Sequence, residues 1–131
     1  RTLHALTLRL AGGFLLAGLW FAALAPALLV AAFHVLFVGG FGLITLAIAT
    51  RVVVSHGKFA LETERRILTP PLVIAIVLAA GLRVAAELAL PPRTLLLAAS
   101  GAAWAFAWLA WAWRAVPLMA RPRDAQLVKI A

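Results

Sequence analysis

The 131-residue sequence contains no cysteine, few acidic residues and few charged residues of any kind. Without cysteine the chain can form no disulfide, thiolate metal site, iron–sulfur cluster or covalently attached c-type haem. A bound metal would therefore depend on histidine, on carboxylates or on the single methionine, Met119. The apolar runs also lack alternation of polar and apolar residues over about ten positions, which makes a transmembrane β-barrel a poor alternative to helices.

Apolar residues dominate the composition. Hydrophobic residues make up 66% of the chain, charged residues make up 12%, and the mean hydropathy is +1.08. These values exclude an ordinary water-soluble domain. The formal net charge is +8, but so apolar a chain leaves no polar surface for a nucleic-acid-binding groove. We therefore expect a lipid bilayer as partner and no nucleic acid.

Four apolar runs are long enough to cross the roughly 30 Å hydrocarbon core of a bilayer as helices. They cover about residues 6–25, 27–54, 72–90 and 94–115, and prolines separate them. Residues 55–69 are predicted as a polar loop, and residues 116–131 as a basic tail in which Pro117 prevents regular helix. The predicted fold is all-α: a single transmembrane segment of four helices in an antiparallel up-down arrangement, belonging to a larger helical bundle.

The distribution of basic residues predicts the orientation. Lys and Arg are concentrated at the amino terminus, around the 55–69 loop and in the tail, whereas Arg93 alone falls at the opposite ends of the runs. The positive-inside rule then places the loop and both termini in the cytoplasm, for a multi-pass protein of a bacterial cytoplasmic (inner) membrane. The sequence begins at Arg1 with no signal peptide, so we expect a piece of a longer protein whose remaining spans are its partners.

Small residues predict where these helices pack closely. Interfaces between helices in lipid are enriched in such residues because they let backbones approach. One face of the second run carries Ala32, Gly39, Gly42 and Ala49, and the first run carries Gly12, Gly13 and Gly18.

The few polar residues within the runs are candidate site residues, because each costs free energy in hydrocarbon. His34, Thr45 and His56 follow one another at intervals of eleven residues, so a regular helix would align them. His34 and His56 would then be about 33 Å apart and could not bind the same ion. His34 fits either an axial haem or copper ligand or an interhelical hydrogen bond, whereas the surroundings of His56 and His4 favour solvated positions.

Three charged residues complete the set of candidates. Arg83 and Glu87 are four residues apart and are predicted to form an intramembrane ion pair. The alternative for this pair is a haem-propionate, anion or proton-handling site. Arg51 would contact either a lipid phosphate or a bound acidic group. We find no credible Ser/His/Asp arrangement and no phosphate-binding glycine loop, which removes support for hydrolytic chemistry and leaves open whether the chain is an enzyme.

The second run carries a recognisable pattern: His34-Val-Leu-Phe-Val-Gly39, then Thr50-Arg51-Val52, then Ser55-His56-Gly57 followed by Lys58. With the tryptophan-rich last run and the Arg121-Pro122-Arg123-Asp124 tail, this pattern resembles the NnrS family of polytopic membrane proteins. Members of that family are associated with nitric oxide and denitrification and are described as containing haem and copper. They have about a dozen spans, so the resemblance implies that this chain is the carboxyl-terminal third.

The resemblance also implies roles for individual residues. It implies haem and copper as cofactors, His34 and His56 as the best candidates for metal or haem ligands, and His4 as a third and weaker candidate for a metal ligand. It further implies that Arg51 binds the cofactor and that nitric oxide is a partner. Two other functions stay open: a transporter module that moves an anion or a proton through Arg83, Glu87 and His34, and a structural membrane subunit without a cofactor.

Overall fold

The structure, a computed structural model, describes residues 2–88 and 92–120. Every regular element in this part of the chain is helical. The elements are α1 (Leu3–Leu24), a 3-10 turn (Pro26–Leu28), α2 (Leu29–His34), a π-helical segment (Val35–Phe41), α3 (Gly42–His56), α4 (Glu62–Ile67), α5 (Pro70–Glu87) and α6 (Arg93–Met119). The all-α prediction is therefore confirmed.

Within the described residues, four helices are long and apolar enough to cross a membrane: α1, the helix Pro26–His56, α5 and α6. We call Pro26–His56, which contains α2, the π-helical segment and α3, the second spanning helix. This result confirms the number of predicted spans, while their antiparallel up-down order stays a prediction. The second spanning helix has 31 residues, which corresponds to roughly 46 Å at 1.5 Å per residue. It is thus longer than the hydrocarbon core is thick.

Local sequence signals set several helix ends. The hydroxyl of Thr2 accepts a hydrogen bond from the Ala5 N–H at 3.4 Å and caps the start of α1. Pro70 and Pro71 open α5, where the first turn does not need their missing N–H groups. Pro92 is the residue before α6 and has extended backbone angles. Prolines therefore separate the spanning helices, as the sequence predicts.

Two predicted boundaries are corrected by the structure. Residues 55–69 are not simply a loop, because they contain α4, whose first turn is acidic and whose last turn is basic. That order of charges complements the helix dipole. In addition, α6 continues through Pro117 to Met119, although Pro117 has no N–H to donate to the preceding turn. The predicted end of the third run, residues 89–90, and the tail beyond residue 120 lie outside the described residues.

The second spanning helix changes its winding immediately after His34, where the π-helical segment Val35–Phe41 begins. The wider turns of a π-helix rotate all later residues about the axis relative to a regular α-helix. The predicted alignment of His34, Thr45 and His56 is therefore wrong. Thr45 is exposed, whereas the His34 side chain contacts Arg83 of α5.

Close packing between α1 and the second spanning helix depends on three glycines. A Cβ atom added at Gly18 would lie 2.8 Å from the backbone nitrogen of Leu36, so the two backbones approach directly. Gly39 and Gly40, in the π-helical segment, lie against the side chains of Phe14 and Leu15 of α1. Both segments thus use small residues to bring the helices together.

The predicted small face of the second spanning helix is only partly the packing surface. Ala32, Gly39 and Gly42 are buried as expected, but Ala49 is half-buried. In α1, no atom of the described residues lies within 4 Å of a Cβ added at Gly12 or Gly13. The described residues therefore support the packing prediction at Gly18 and at most positions of the second spanning helix, but not at Gly12 and Gly13.

All four spanning helices contribute to one apolar core. Its largest members include Leu43 and Leu46 of α3 and Leu72 and Ile76 of α5, with alanines of α1 and α6 beside them. The hydroxyl of Ser100 donates a 2.7 Å hydrogen bond to the backbone oxygen of Ala79 and joins α6 to α5 inside this core. Buried hydroxyls in lipid-embedded helices gain from such interhelical partners.

The outer surface of the bundle is apolar. Large side chains are exposed on every spanning helix, and examples are Leu19, Phe33, Ile74 and Leu109. Apolar surface of this extent indicates contact with lipid rather than with water. The chain is a multi-pass membrane protein.

Candidate functional site

One group of ionisable side chains surrounds Glu64, and we call His4, Arg51 and Glu64 the Glu64 cluster. Arg51 Nη1 donates to Glu64 Oε2 at 2.7 Å, and His4 Nδ1 lies 3.0 Å from Glu64 Oε1. The Glu64 side chain is 11% exposed. A single carboxylate therefore joins α1, α3 and α4 and holds the beginning of α1 beside the last turns of α3.

The Glu64 cluster is partly exposed to solvent. A hydrogen bond between a guanidinium and a carboxylate is shorter and stronger than one between neutral groups. The Arg51 side chain, however, is 51% exposed, so solvent weakens its attraction to Glu64. Arg51 also keeps nitrogen atoms that are not used in this bond, because only Nη1 donates to Glu64.

A cavity of about 330 Å³ lies beside the Glu64 cluster. The three residues of the cluster form part of its wall, and Glu62 and Arg65 of α4 add a second carboxylate and a second guanidinium. The cavity therefore presents positive and negative groups together. Its chemistry suits a polar ligand that carries both signs of charge.

A second group surrounds Glu87, and we call His34, Arg83, Glu87 and Arg93 the Glu87 cluster. Arg83 Nη2 lies 3.3 Å from Glu87 Oε1, and Arg93 Nη2 lies 3.7 Å from Glu87 Oε2. Arg83 Nε donates to His34 Nε2 at 2.9 Å. The ion pair that the four-residue spacing predicts is thus present in α5, and the other two contacts connect α5 to α2 and α6.

The hydrogen bonds of His34 show which of its two ring nitrogens carries the proton. Nδ1 lies 2.6 Å from the backbone oxygen of Val30, and a carbonyl oxygen can only accept, so Nδ1 carries the proton. Nε2 then accepts from Arg83. His34 is placed in an interhelical hydrogen bond, one of the two roles that the sequence left open. A metal could reach Nε2 only after Arg83 moved away.

His56 is arranged differently. It is exposed at the end of α3, and its Nδ1 lies 3.2 Å from the backbone oxygen of Val52. Among the described residues, no side chain or backbone group is hydrogen-bonded to its Nε2. Histidines that bind metals are usually oriented by a bond from the other ring nitrogen to a carbonyl or carboxylate. His56 has this arrangement.

The structure does not bring the predicted ligands together. His34 belongs to the Glu87 cluster, His4 belongs to the Glu64 cluster, and His56 ends α3. Within residues 2–88 and 92–120, no group of three or more His, Cys, Asp or Glu side chains could hold a metal ion. This part of the chain can therefore supply single ligands, and a complete metal site would need further groups.

Two features near the Glu64 cluster are not predicted from the sequence. The sequence indicates only a polar loop around Glu64, whereas in the structure this residue contacts both His4 and Arg51. Trp111 Nε1 donates to the buried Thr50 hydroxyl at 2.9 Å, and this hydroxyl donates to the Leu46 backbone oxygen at 2.7 Å. The only sequence signal for these contacts is that a carboxylate and a hydroxyl near membrane ends need partners.

The fold and the two clusters define a multi-pass helical membrane protein with ionisable side chains held between its helices. The sequence matches the protein family described as "NnrS protein" over residues 1–123. The chain therefore belongs to the NnrS family, as the pattern from His34 to Lys58 indicates. No curated protein and no solved structure matches the chain significantly.

Proposed function

We propose that this chain is the carboxyl-terminal segment of a haem- and copper-containing protein that responds to nitric oxide in a bacterial cytoplasmic membrane. The match to the NnrS family over residues 1–123 is the observation that carries the proposal. The distribution of Lys and Arg supports an orientation with both ends of the segment in the cytoplasm. In this orientation the Glu64 cluster faces the cytoplasm and the Glu87 cluster faces the opposite side.

His56 is the histidine that best suits a single metal or haem ligand. Its Nδ1 bond to Val52 leaves Nε2 as the donor atom, and its position at the end of α3 is accessible. When bound to a histidine, haem iron can supply a site for a small diatomic ligand such as nitric oxide. The contribution of this chain is to hold the imidazole at a helix end, while other spans of a longer protein would complete the site.

Of the remaining candidates, His34 needs a local change before it could contact a cofactor, whereas His4 and Arg51 keep nitrogen atoms that their contacts with Glu64 do not use. His34 would have to exchange its hydrogen bond with Arg83 for a metal. His4 Nδ1 lies beside Glu64, and a carboxylate next to a ligating histidine strengthens the histidine as a donor. Arg51 already donates from Nη1 to Glu64, so an acidic group of a cofactor would contact its other nitrogens.

An absorbance spectrum and a metal analysis of the full-length protein purified in detergent test this proposal. We expect a haem Soret band, bound copper, or both. His56→Ala should lower the amount of haem or copper per protein, whereas Ser55→Ala, a change at the neighbouring exposed position, should not. If the unaltered protein has no Soret band and no copper, the proposal is wrong.

A second candidate function is favoured by the connected contacts of the Glu87 cluster. His34, Arg83 and Glu87 form a continuous polar path between α2 and α5, and intramembrane ionisable groups often mark ion or proton pathways. A transporter module of this kind should move an anion or protons in proteoliposomes. Glu87→Gln should abolish the flux, and Glu62→Gln should preserve it. Proteoliposomes with no flux would contradict transport and, with no cofactor, would leave a structural membrane subunit.

A further inference from the structure

The cavity beside the Glu64 cluster is lined by His4 and Arg51, which the haem and copper proposal uses, and also by Glu62 and Arg65, which have no role in that proposal. It lies between the first turn of α1, Arg51 in α3, and α4. In a membrane-spanning bundle the ends of the spanning helices meet the headgroup region of the bilayer. We infer that this cavity binds a phospholipid headgroup that contains both a phosphate and a primary ammonium.

The phosphate half of such a headgroup fits the two guanidinium groups. Arg51 is bonded to Glu64 through one nitrogen only, and Arg65 lines the same cavity from α4. Guanidinium groups bind phosphate oxygens through charge-assisted hydrogen bonds, often in pairs. Thr2 and Leu3 also line the cavity, and the N–H groups in the first turn of a helix favour a nearby anion.

The carboxylates of Glu62 and Glu64 indicate that the ligand carries a positive charge in addition to the phosphate. Both line the cavity, so a purely anionic ligand would meet two like charges there. A primary ammonium can donate up to three hydrogen bonds to such oxygens. A quaternary ammonium of similar charge has no N–H to donate. The cavity should therefore discriminate between ethanolamine and choline headgroups.

The remaining wall of the cavity favours a lipid over a free phosphate compound. Leu3, Leu61 and Leu68 line it together with the charged groups. Leu61 is 68% exposed, which leaves an apolar surface next to a polar one. A glycerol backbone with the first acyl carbons would cover this leucine, whereas soluble phosphoethanolamine would not.

Lipid binding to the delipidated protein, measured by native mass spectrometry, tests the inference without any variant. We expect phosphatidylethanolamine to bind about tenfold more tightly than phosphatidylcholine, which corresponds to about 1.4 kcal/mol and to one lost charge-assisted hydrogen bond. Phosphatidylglycerol should bind more weakly than phosphatidylethanolamine. Equal binding of the ethanolamine and choline lipids, or tightest binding of the glycerol lipid, would overturn the inference.

Variants on α4 then locate the site. Arg65→Gln should weaken binding of both phosphatidylethanolamine and phosphatidylcholine about fivefold, because both lipids carry the phosphate. Glu62→Gln should weaken only phosphatidylethanolamine. Arg66→Gln is the matched control, since Arg66 is adjacent in α4 but does not line the cavity. If Arg66→Gln weakened binding as much as Arg65→Gln, general surface charge would explain the binding and the cavity would not.

Soluble phosphoethanolamine distinguishes the two possible sources of the ligand. We expect it to displace the lipid only at concentrations far above those of the lipid itself, because it lacks the apolar part. Displacement at equal concentration would overturn the assignment to a lipid. These measurements read bound lipid alone, so their failure would leave the haem and copper proposal unaffected, and a missing cofactor would leave the lipid result unaffected.

Discussion

The Glu64 cluster and the Glu87 cluster each use one largely buried carboxylate to hold two nitrogen-bearing side chains, but they differ in how the chain brings the groups together. In the Glu87 cluster the first partner, Arg83, comes from the same helix four residues earlier. In the Glu64 cluster both partners, His4 and Arg51, come from other helices. The first cluster is thus partly a local product of helix geometry, whereas the second exists only after three helices have packed.

The two clusters also differ in where their cations lie. The Arg83 side chain is 28% exposed and lies in the spanning helix α5 away from the described cavity, so we expect lipid to surround the part that protein does not cover. Arg51 is about half exposed and borders an open polar cavity. A guanidinium that loses its carboxylate can reach water more easily at Arg51 than at Arg83. We therefore expect the ion pair of Arg51 with Glu64 to contribute less to the free energy of unfolding than the ion pair of Arg83 with Glu87.

The largest expected effect is that of Glu87→Leu, which leaves Arg83 charged in a spanning helix. We expect a loss of about 2–3 kcal/mol in the free energy of unfolding, somewhat below the cost of breaking a fully buried pair. Unfolding in mixed micelles with increasing denaturing detergent measures it. The double change Arg83→Met with Glu87→Leu is the control and should recover most of the loss, because it removes both charges. A double variant no more stable than Glu87→Leu would contradict this view of the pair.

A smaller effect is expected for Glu64→Gln, in which the amide keeps the shape but loses the charge. Because Arg51 can turn to solvent, we expect about 1–2 kcal/mol. The same unfolding experiment gives the value, and Glu62→Gln on the exposed side of α4 serves as the reference. A larger loss for Glu64→Gln than for Glu87→Leu would reverse the proposed difference between the clusters.

The smallest effect concerns the contact between Trp111 and Thr50 near the Glu64 cluster. Trp111→Phe removes the indole N–H while Thr50 keeps its bond to the Leu46 oxygen, so about 1 kcal/mol should be lost. Trp113→Phe is the matched control, because Trp113 is 84% exposed and its change should have no effect on unfolding. Equal effects of the two substitutions would mean that the hydrogen bond does not stabilise the bundle.

One contact of the Glu87 cluster, the ion pair of Arg83 with Glu87, could be predicted from the sequence. No contact of the Glu64 cluster could be predicted in this way. Arg83 and Glu87 share a helix face by their spacing, which follows from helix geometry alone. The bond between Arg83 and His34 joins residues 49 positions apart, and no spacing rule reaches that far. The winding of the second spanning helix added a further error, since the π-helical segment changed which residues share a face with His34.

The candidate ligands show the same limit. The family pattern indicates both His34 and His56 as ligands, yet the hydrogen bonding of their side chains differs in the structure. His34 uses both ring nitrogens in hydrogen bonds, and His56 uses one. This difference depends on which helix packs against each imidazole, and the residues next to each histidine do not specify it.

The sequence by itself determined that the chain is a bundle of membrane-crossing helices and a member of the NnrS family, because length, hydropathy and motif are properties of consecutive residues. Only the tertiary structure decided that Arg83 would bond to His34, that Glu64 would join three helices and that a charged cavity would form beside it. Those outcomes depend on the rotation and approach of separate helices, which small residues such as Gly18 and Gly39 control through contacts distant in the sequence.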